Sequence, residues 1–89
     1  MNVGDVVTAL TVAGEFVGKL AKTNSSSVVL DDPRMLVNHQ DGMGFAHGVC
    51  ITGEQNPKRI ELYSVVLVTK TNQEIEDAWR EATSGLVMP

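Results

Sequence analysis

Cysteine is nearly missing. Cys50 stands alone among 89 residues, so no disulfide can close within the chain, which fits a reducing cytosol. No apolar run reaches the roughly 20 residues that cross a bilayer, and no membrane partner is expected. The N-terminus has no basic segment, and Asp5 and Glu15 interrupt its apolar residues, so it does not read as a signal peptide. A cytoplasmic, soluble protein is expected. Large aromatics are scarce too: Phe16, Phe45, Tyr63 and Trp79 are all there are, and valine and leucine must fill the core.

Sites for chemistry are also few. His39, His47 and Cys50 are the soft metal ligands, but only His47 and Cys50 are close in sequence. A structural zinc site needs four ligands, usually in close pairs, so no metal is expected. Asp31-Asp32 could suggest acid–base work, yet adjacent strand residues point to opposite faces and no nucleophile accompanies them. Asp41-Gly42-Met43-Gly44 is read as a loop, and not a phosphate loop, because no Gly-Lys-Ser/Thr follows. Nothing resembles a nucleophile elbow or a cofactor fingerprint. The reading is a non-enzyme without a cofactor.

Excess basic charge is the last absence. The net charge is −4, which argues against a strong electrostatic hold on nucleic acid. From Asn72 onward Glu74, Glu76, Asp77 and Glu81 oppose Arg80 alone, whereas residues 1–71 hold seven acids and six bases. The body is nearly neutral and the tail carries the acidity.

What is present centres on Gly14 to Asp32. Phe16, Gly18 and Leu20 alternate with Glu15, Val17, Lys19 and Ala21, the period of a half-buried strand. Asn24, Ser25 and Ser26 supply turn chemistry, and a second strand opens at Ser27 and runs through Val28, Val29 and Leu30. Gly18 inside the first strand marks a bend, a bulge or a close backbone approach. A bent strand lets a small sheet curl into a barrel.

Before this stretch, Val3 to Val12 reads as a strand with Val6, Thr8, Leu10 and Val12 on one face, joined through a tight Ala13-Gly14 turn. After it, Pro33 belongs at an edge, a bulge or a strand break, and Met35 to Val37 resume an extended run. Phe45 to Thr52 forms a further strand, Gly53 to Lys58 a polar loop, and Arg59 to Thr69 the longest strand. Val65 to Val68 is apolar on both faces, which demands cover on both sides, from a helix or from another subunit. Thr71-Asn-Gln-Glu74 matches a capping box, and Ile75, Ala78, Trp79 and Ala82 form one helical stripe with Gly85 as a C-terminal cap. The apolar Leu86 to Pro89 is expected to pack beside that helix.

These elements predict one domain over residues 1–89: a mainly β, SH3-like, five-stranded, partly open antiparallel barrel over about 3–69, with a C-terminal α-helix over about 72–84. Phe16-x-Gly18-x-Leu20, the polar turn, and Ser26-Ser27-Val28-Val29-Leu30-Asp31-Asp32 resemble the first signature of the Sm-like RNA-binding family. Ile51-Thr52-Gly53 partly echoes its second signature, Ile-Arg-Gly, which lies between the last two strands. The chain departs from the pattern at the reading positions. Asn24 replaces the usual Asp, Ser26 and Ser27 replace the base-stacking residue and its Asn partner, and Thr52 replaces the arginine. The helix follows the barrel instead of preceding it. Small valine-rich domains of this kind also look like products of bacteriophage genomes.

The resemblance implies a cyclic homo-oligomer, pentamer to heptamer, that binds single-stranded RNA or DNA near the ring axis. Its contacts would come from Asn24, Ser25, Ser26 and Ser27 in one loop, and from Gly53, Gln55, Asn56, Lys58 and Arg59 in another. Hydroxyls and amides there can bond to bases or phosphates while Lys58 and Arg59 supply charge. The alternative is a protein-interaction or structural assembly module, such as a phage component, with no nucleic-acid binding.

Overall fold

A computed structural model describes residues 1–84 apart from Asp41 and Ile51, and apart from the side chain of His39. The chain runs β1 (Val6–Thr11), β2 (Gly14–Thr23), β3 (Ser27–His39), β4 (Gly42–Phe45), β5 (Arg59–Tyr63), β6 (Leu67–Lys70) and α1 (Gln73–Thr83). All pairings are antiparallel, in the order β4-β3-β2-β1-β6, with β5 also paired to β3. β3 serves both β4 and β5 along one edge: Ser27 to Asp31 pair with β5, and Leu36 to His39 pair with β4. The result is a curled, open six-stranded sheet.

Its inner face carries Val7, Ala9, Phe16, Leu20, Val28 and Leu30, closed over by Met35, Val49, Ile60, Leu62, Val65 and Val68. The period-two alternation of β1 and β2 is thereby realised. The outer face of the same strands is apolar at Val6 and Val17, and α1 covers them with Trp79, beside Phe45 and Ile75. Two small cores thus lie on opposite sides of one sheet.

The bend is built by two matched irregularities. Between Val17↔Arg34 and Lys19↔Asp31, β2 spends one residue (Gly18) where β3 spends two (Asp32 and Pro33). Between Leu20↔Leu30 and Lys22↔Val29, β2 returns the extra residue as Ala21. Each insertion is a bulge that sharpens local twist. Asp32 takes φ 48°, and Pro33, which has no amide donor, occupies the bulge where a ladder bond is not required. A Cβ on Gly18 would lie 3.0 Å from the Asp31 carbonyl oxygen and 3.3 Å from Pro33 Cα, so the folded-back β3 backbone fills the space above it. Gly18→Val is accordingly expected to lower stability by about 1–3 kcal/mol, the usual cost of overpacking, in urea titration. A loss under about 0.5 kcal/mol would show that β3 can retreat.

Instead of the expected partly open barrel, the described strands form an open sheet, since β5 and β6 do not pair; the other differences from expectation are local. Six strands form instead of five, because the expected last strand divides into β5 and β6, while Gly42 to Phe45 extend as β4 against Leu36 to His39 in place of the expected Phe45 to Thr52. The expected strand Phe45 to Thr52 stops at Phe45. Beyond it a single Gly48↔Gln55 bridge ties a long loop, in which Asn56 at φ 49° turns the chain towards buried Pro57. Arg59 to Thr69 is two strands, since Ser64 at φ 58° breaks the run and redirects it from β3 to β1. Val12 and Ala13 form the first turn, and Gly14 already belongs to β2. The helix cap is Asn72, whose Oδ1 accepts from Ile75 N at 2.9 Å. Thr71, the expected capping residue, is buried and shares a 2.8 Å hydroxyl hydrogen bond with Thr8. Ala78 and Ala82 of the expected stripe are exposed; Ile75, Trp79 and Thr83 make the contact side. Gly85 and Leu86 to Pro89 lie outside the described residues.

Candidate functional site

Beyond the patch at Val6 and Val17 that α1 covers, the outer face continues across β2, β3 and β5. Register sets its composition. Lys19, Asp31 and Arg59 form one row across the three strands, Lys22, Val29 and Glu61 the next, and Ser27 with Tyr63 a third. On a strand, Arg59, Glu61 and Tyr63 share a face because successive side chains alternate. Charges of opposite sign therefore sit opposite each other.

Hydrogen bonds fix these groups. Arg59 donates from Nε to Asp31 Oδ1 at 2.6 Å and from Nη2 to Oδ2 at 3.2 Å, a bidentate pair on an exposed surface. The Arg59 guanidinium holds the Asp31 carboxyl below the usual carboxylate range, with Lys19 adding to the effect. Asn24 Nδ2 donates to Ser27 Oγ at 3.1 Å, and Ser27 Oγ donates to Glu61 Oε2 at 2.7 Å. Ser27 foremost, then the Tyr63 hydroxyl, and Lys22 by its charge, hold Glu61 below its ordinary value. Tyr63, donating to that carboxylate, is pushed up.

A lowered folded-state pKa means stability that is complete above the unfolded carboxylate value and is lost as pH falls through the folded one. Stability should therefore decline below the normal range for acidic side chains. Asp31→Asn with Glu61→Gln is expected to flatten that acid limb in denaturation curves taken from neutral pH downward. An unchanged acid limb in the double variant would mean other carboxylates set it.

The residues singled out from sequence are dispersed by the fold. Asn24, Ser25 and Ser26 form the turn at the Tyr63 end of β5, whereas Gly53 to Lys58 precede its Arg59 end, about 13 Å away at 3.3 Å per residue. Ser27 is 5 % exposed and already bonded. Gly53 and Gln55 line a separate hollow with Met35, Ala46, Val49 and Cys50. Asn56 is held by its amide to the His47 carbonyl. Lys58 is exposed, and its carbonyl accepts from Asp32 N at 2.8 Å. From the two loops, Asn24 and Arg59 line a common open cleft of about 460 Å³ with Lys22, Val29, Ile60 and Glu61. Thr52-Gly53, the described part of the second-signature echo, stands before β5. The link between the last two strands is Ser64 to Val66, which lies beside the Asn24 to Ser27 turn. Glu61, Tyr63 and Lys22 went unnoticed in the sequence, although the alternation Arg59-x-Glu61-x-Tyr63 was there to be read.

Apolar exposure gathers along the last strand. Val66 and Leu67 are 61 % and 47 % exposed, and neighbouring Tyr63 63 %. β6 pairs only with β1, and β5 only with β3, among the described residues. Both therefore present unpaired backbone on their far edges. No His/Cys/Asp/Glu group of three among the described residues is placed to hold a metal ion. No helix among them is long and apolar enough to cross a membrane.

Fold and site together define a small antiparallel β-sheet protein with one covering helix, a polar outer face and, among the described residues, open edges at β4, β5 and β6. No protein-family model matches the sequence, and neither a curated protein nor a solved structure matches it.

Proposed function

We propose that this chain is the subunit of an Sm-like homo-oligomeric ring of five to seven copies that binds single-stranded RNA or DNA. One observation carries the ring: β5 and β6 are neighbours in sequence, yet each leaves an edge open. An open edge recruits another strand unless it is covered or charged. Pairing β5 of one copy with β6 of the next is head-to-tail, and such contacts repeat until the rotation closes them. It would also cover Val66 and Leu67. The bent second strand with Gly18 at its bulge supports the Sm-like reading in particular.

The nucleic-acid part rests on the exposed Asn24 to Ser26 turn, Lys22 beside it, and Lys58 with Arg59 at the other end of the outer face. Repetition around a ring turns one modest contact into a multivalent one. The test is anisotropy of labelled oligo-U and oligo-A titrated with protein at rising salt. Binding that weakens steeply with salt is expected, because neutralised phosphates release counterions. Lys58→Glu with Arg59→Gln should remove most of it. Arg59→Glu is less informative, since it would set two carboxylates side by side at Asp31.

A second reading has its own observation. Asp31 already engages Arg59, and the Glu61 carboxylate faces any phosphate approaching Asn24. An assembly module without nucleic acid, for instance in a phage particle, suits that charge balance. A ring that binds no oligonucleotide even at low salt would establish this second reading and overturn the first.

A further inference from the structure

The cleft over β3 has a polar rim whose members are each half used. Arg59 spends its Nε hydrogen and one Nη2 hydrogen on Asp31, which leaves three of five donors free and the plane of the group fixed. Glu61 accepts from Ser27 and Tyr63, and a carboxylate has about four acceptor positions. Asn24 gives one amide hydrogen to Ser27 and keeps another hydrogen and its carbonyl. Val29 lies between Lys22 and Glu61 in register and supplies an apolar strip of floor. The volume, about 460 Å³, falls within the 300–1,000 Å³ range of small-ligand sites. Groups already held by internal bonds lose little freedom on meeting a ligand.

We propose that this cleft is a guanine-selective base pocket, an assignment that rests on the single-strand-binding reading and gives it a base preference. The edge of guanine carries two adjacent N–H donors, at N1 and N2, next to a carbonyl acceptor at O6, with N7 beyond. Glu61 offers acceptors and Arg59 offers donors from positions two apart on one strand face, roughly 6.6 Å between Cα atoms. Glu61 takes the N1–H and N2–H side, and the guanidinium takes O6 and N7, its preferred guanine contact. Lys22 lies at the rim for the phosphate. Adenine inverts the pattern: its N1 is an acceptor facing Glu61, and its amino group is a donor facing Arg59. Each mismatch leaves a polar group opposed to its own kind.

The test uses the intact protein and mononucleotides, which need neither ring contacts nor a phosphate chain. Guanosine, adenosine and inosine monophosphates are titrated while backbone amides are followed by NMR. Expected are shifts at Lys22, Asn24 and Glu61, and guanosine monophosphate binding at least about tenfold tighter than adenosine monophosphate, the lower end for a good bidentate base contact. Inosine monophosphate, lacking N2, should fall between. Glu61→Gln should erase the preference while the shift pattern of the core stays native. Equal affinity for the guanine and adenine nucleotides, no binding of either at millimolar concentration, or a preference that survives Glu61→Gln would each overturn the pocket. The two levels separate cleanly. Oligonucleotide binding without base preference refutes the pocket and leaves the ring reading standing. A guanine preference in mononucleotides with no oligonucleotide binding upholds the pocket and refutes the single-strand reading.

Discussion

Trp79→Ala is expected to lower stability by about 3–5 kcal/mol, the range for a deeply buried large aromatic. The indole is 3 % exposed and covers Val6 and Val17, with Phe45 and Ile75 around it. Its Nε1 donates to the Asp32 carbonyl at 2.9 Å, so it also ties α1 to the bend in β3. Alanine removes the burial, leaves a cavity that a short helix cannot collapse into, and strips the Asp32 carbonyl of its partner. Against a total of about 5–15 kcal/mol for a domain, the loss approaches unfolding. Urea titration by circular dichroism measures it, since the variant has no tryptophan left to fluoresce. Trp79→Phe separates the two parts: it keeps an aromatic and loses the N–H, so a smaller cost of about 1–3 kcal/mol is expected. A cost under about 1 kcal/mol for alanine would mean that α1 does not hold this sheet.

Lys70→Pro is expected to turn the proposed oligomer into monomers. Thr71 N donates to the Val6 carbonyl. Donors alternate along an antiparallel strand, so the Lys70 N–H points away from β1, to the open edge. Proline there deletes an edge donor and presents a ring to any incoming strand, while the β1–β6 ladder keeps its own bonds. The wild type should scatter light as a multimer at micromolar concentration. The variant should scatter as one 9.6 kDa chain with an unchanged far-ultraviolet spectrum. A monomeric wild type would end the ring reading and the shared binding surface with it. An assembled Lys70→Pro would place the contact elsewhere. Leu67→Lys, which charges the adjoining apolar surface, tests the same edge without touching the backbone.

Legibility followed the range of the forces involved. Alternation at Phe16, Gly18 and Leu20 is a local pattern, and the fold uses it as read. Gly18 signalled a close approach, but nothing near it in sequence could say that Asp31 and Pro33 would fill the space. Pro33 was compatible with a bulge or a break, and the choice depended on Gly18 across the sheet. Arg59 to Thr69 looked continuous because Tyr63, Val65 and Val66 all suit a strand. A left-handed serine carries no sequence flag comparable to glycine, so the break at Ser64 was hidden. The capping box was defeated by Thr8, sixty-three residues away, which claimed the Thr71 hydroxyl. The candidate loops rest on the Sm-like resemblance, and nothing local in their sequence encodes that β5 would hold them apart.

The covering of Val6 and Val17 by Trp79 has a consequence in time. A ribosome delivers both valines long before it delivers the tryptophan, so the outer side of the β1–β2 hairpin emerges bare. The strands can pair at once, whereas the second core waits for the end of α1 to clear the exit tunnel. Any product halted short of residue 79 would carry a finished hairpin with a greasy back, a ready target for holdase chaperones and quality-control proteases. Completion of α1 is then the event that covers the back of the hairpin.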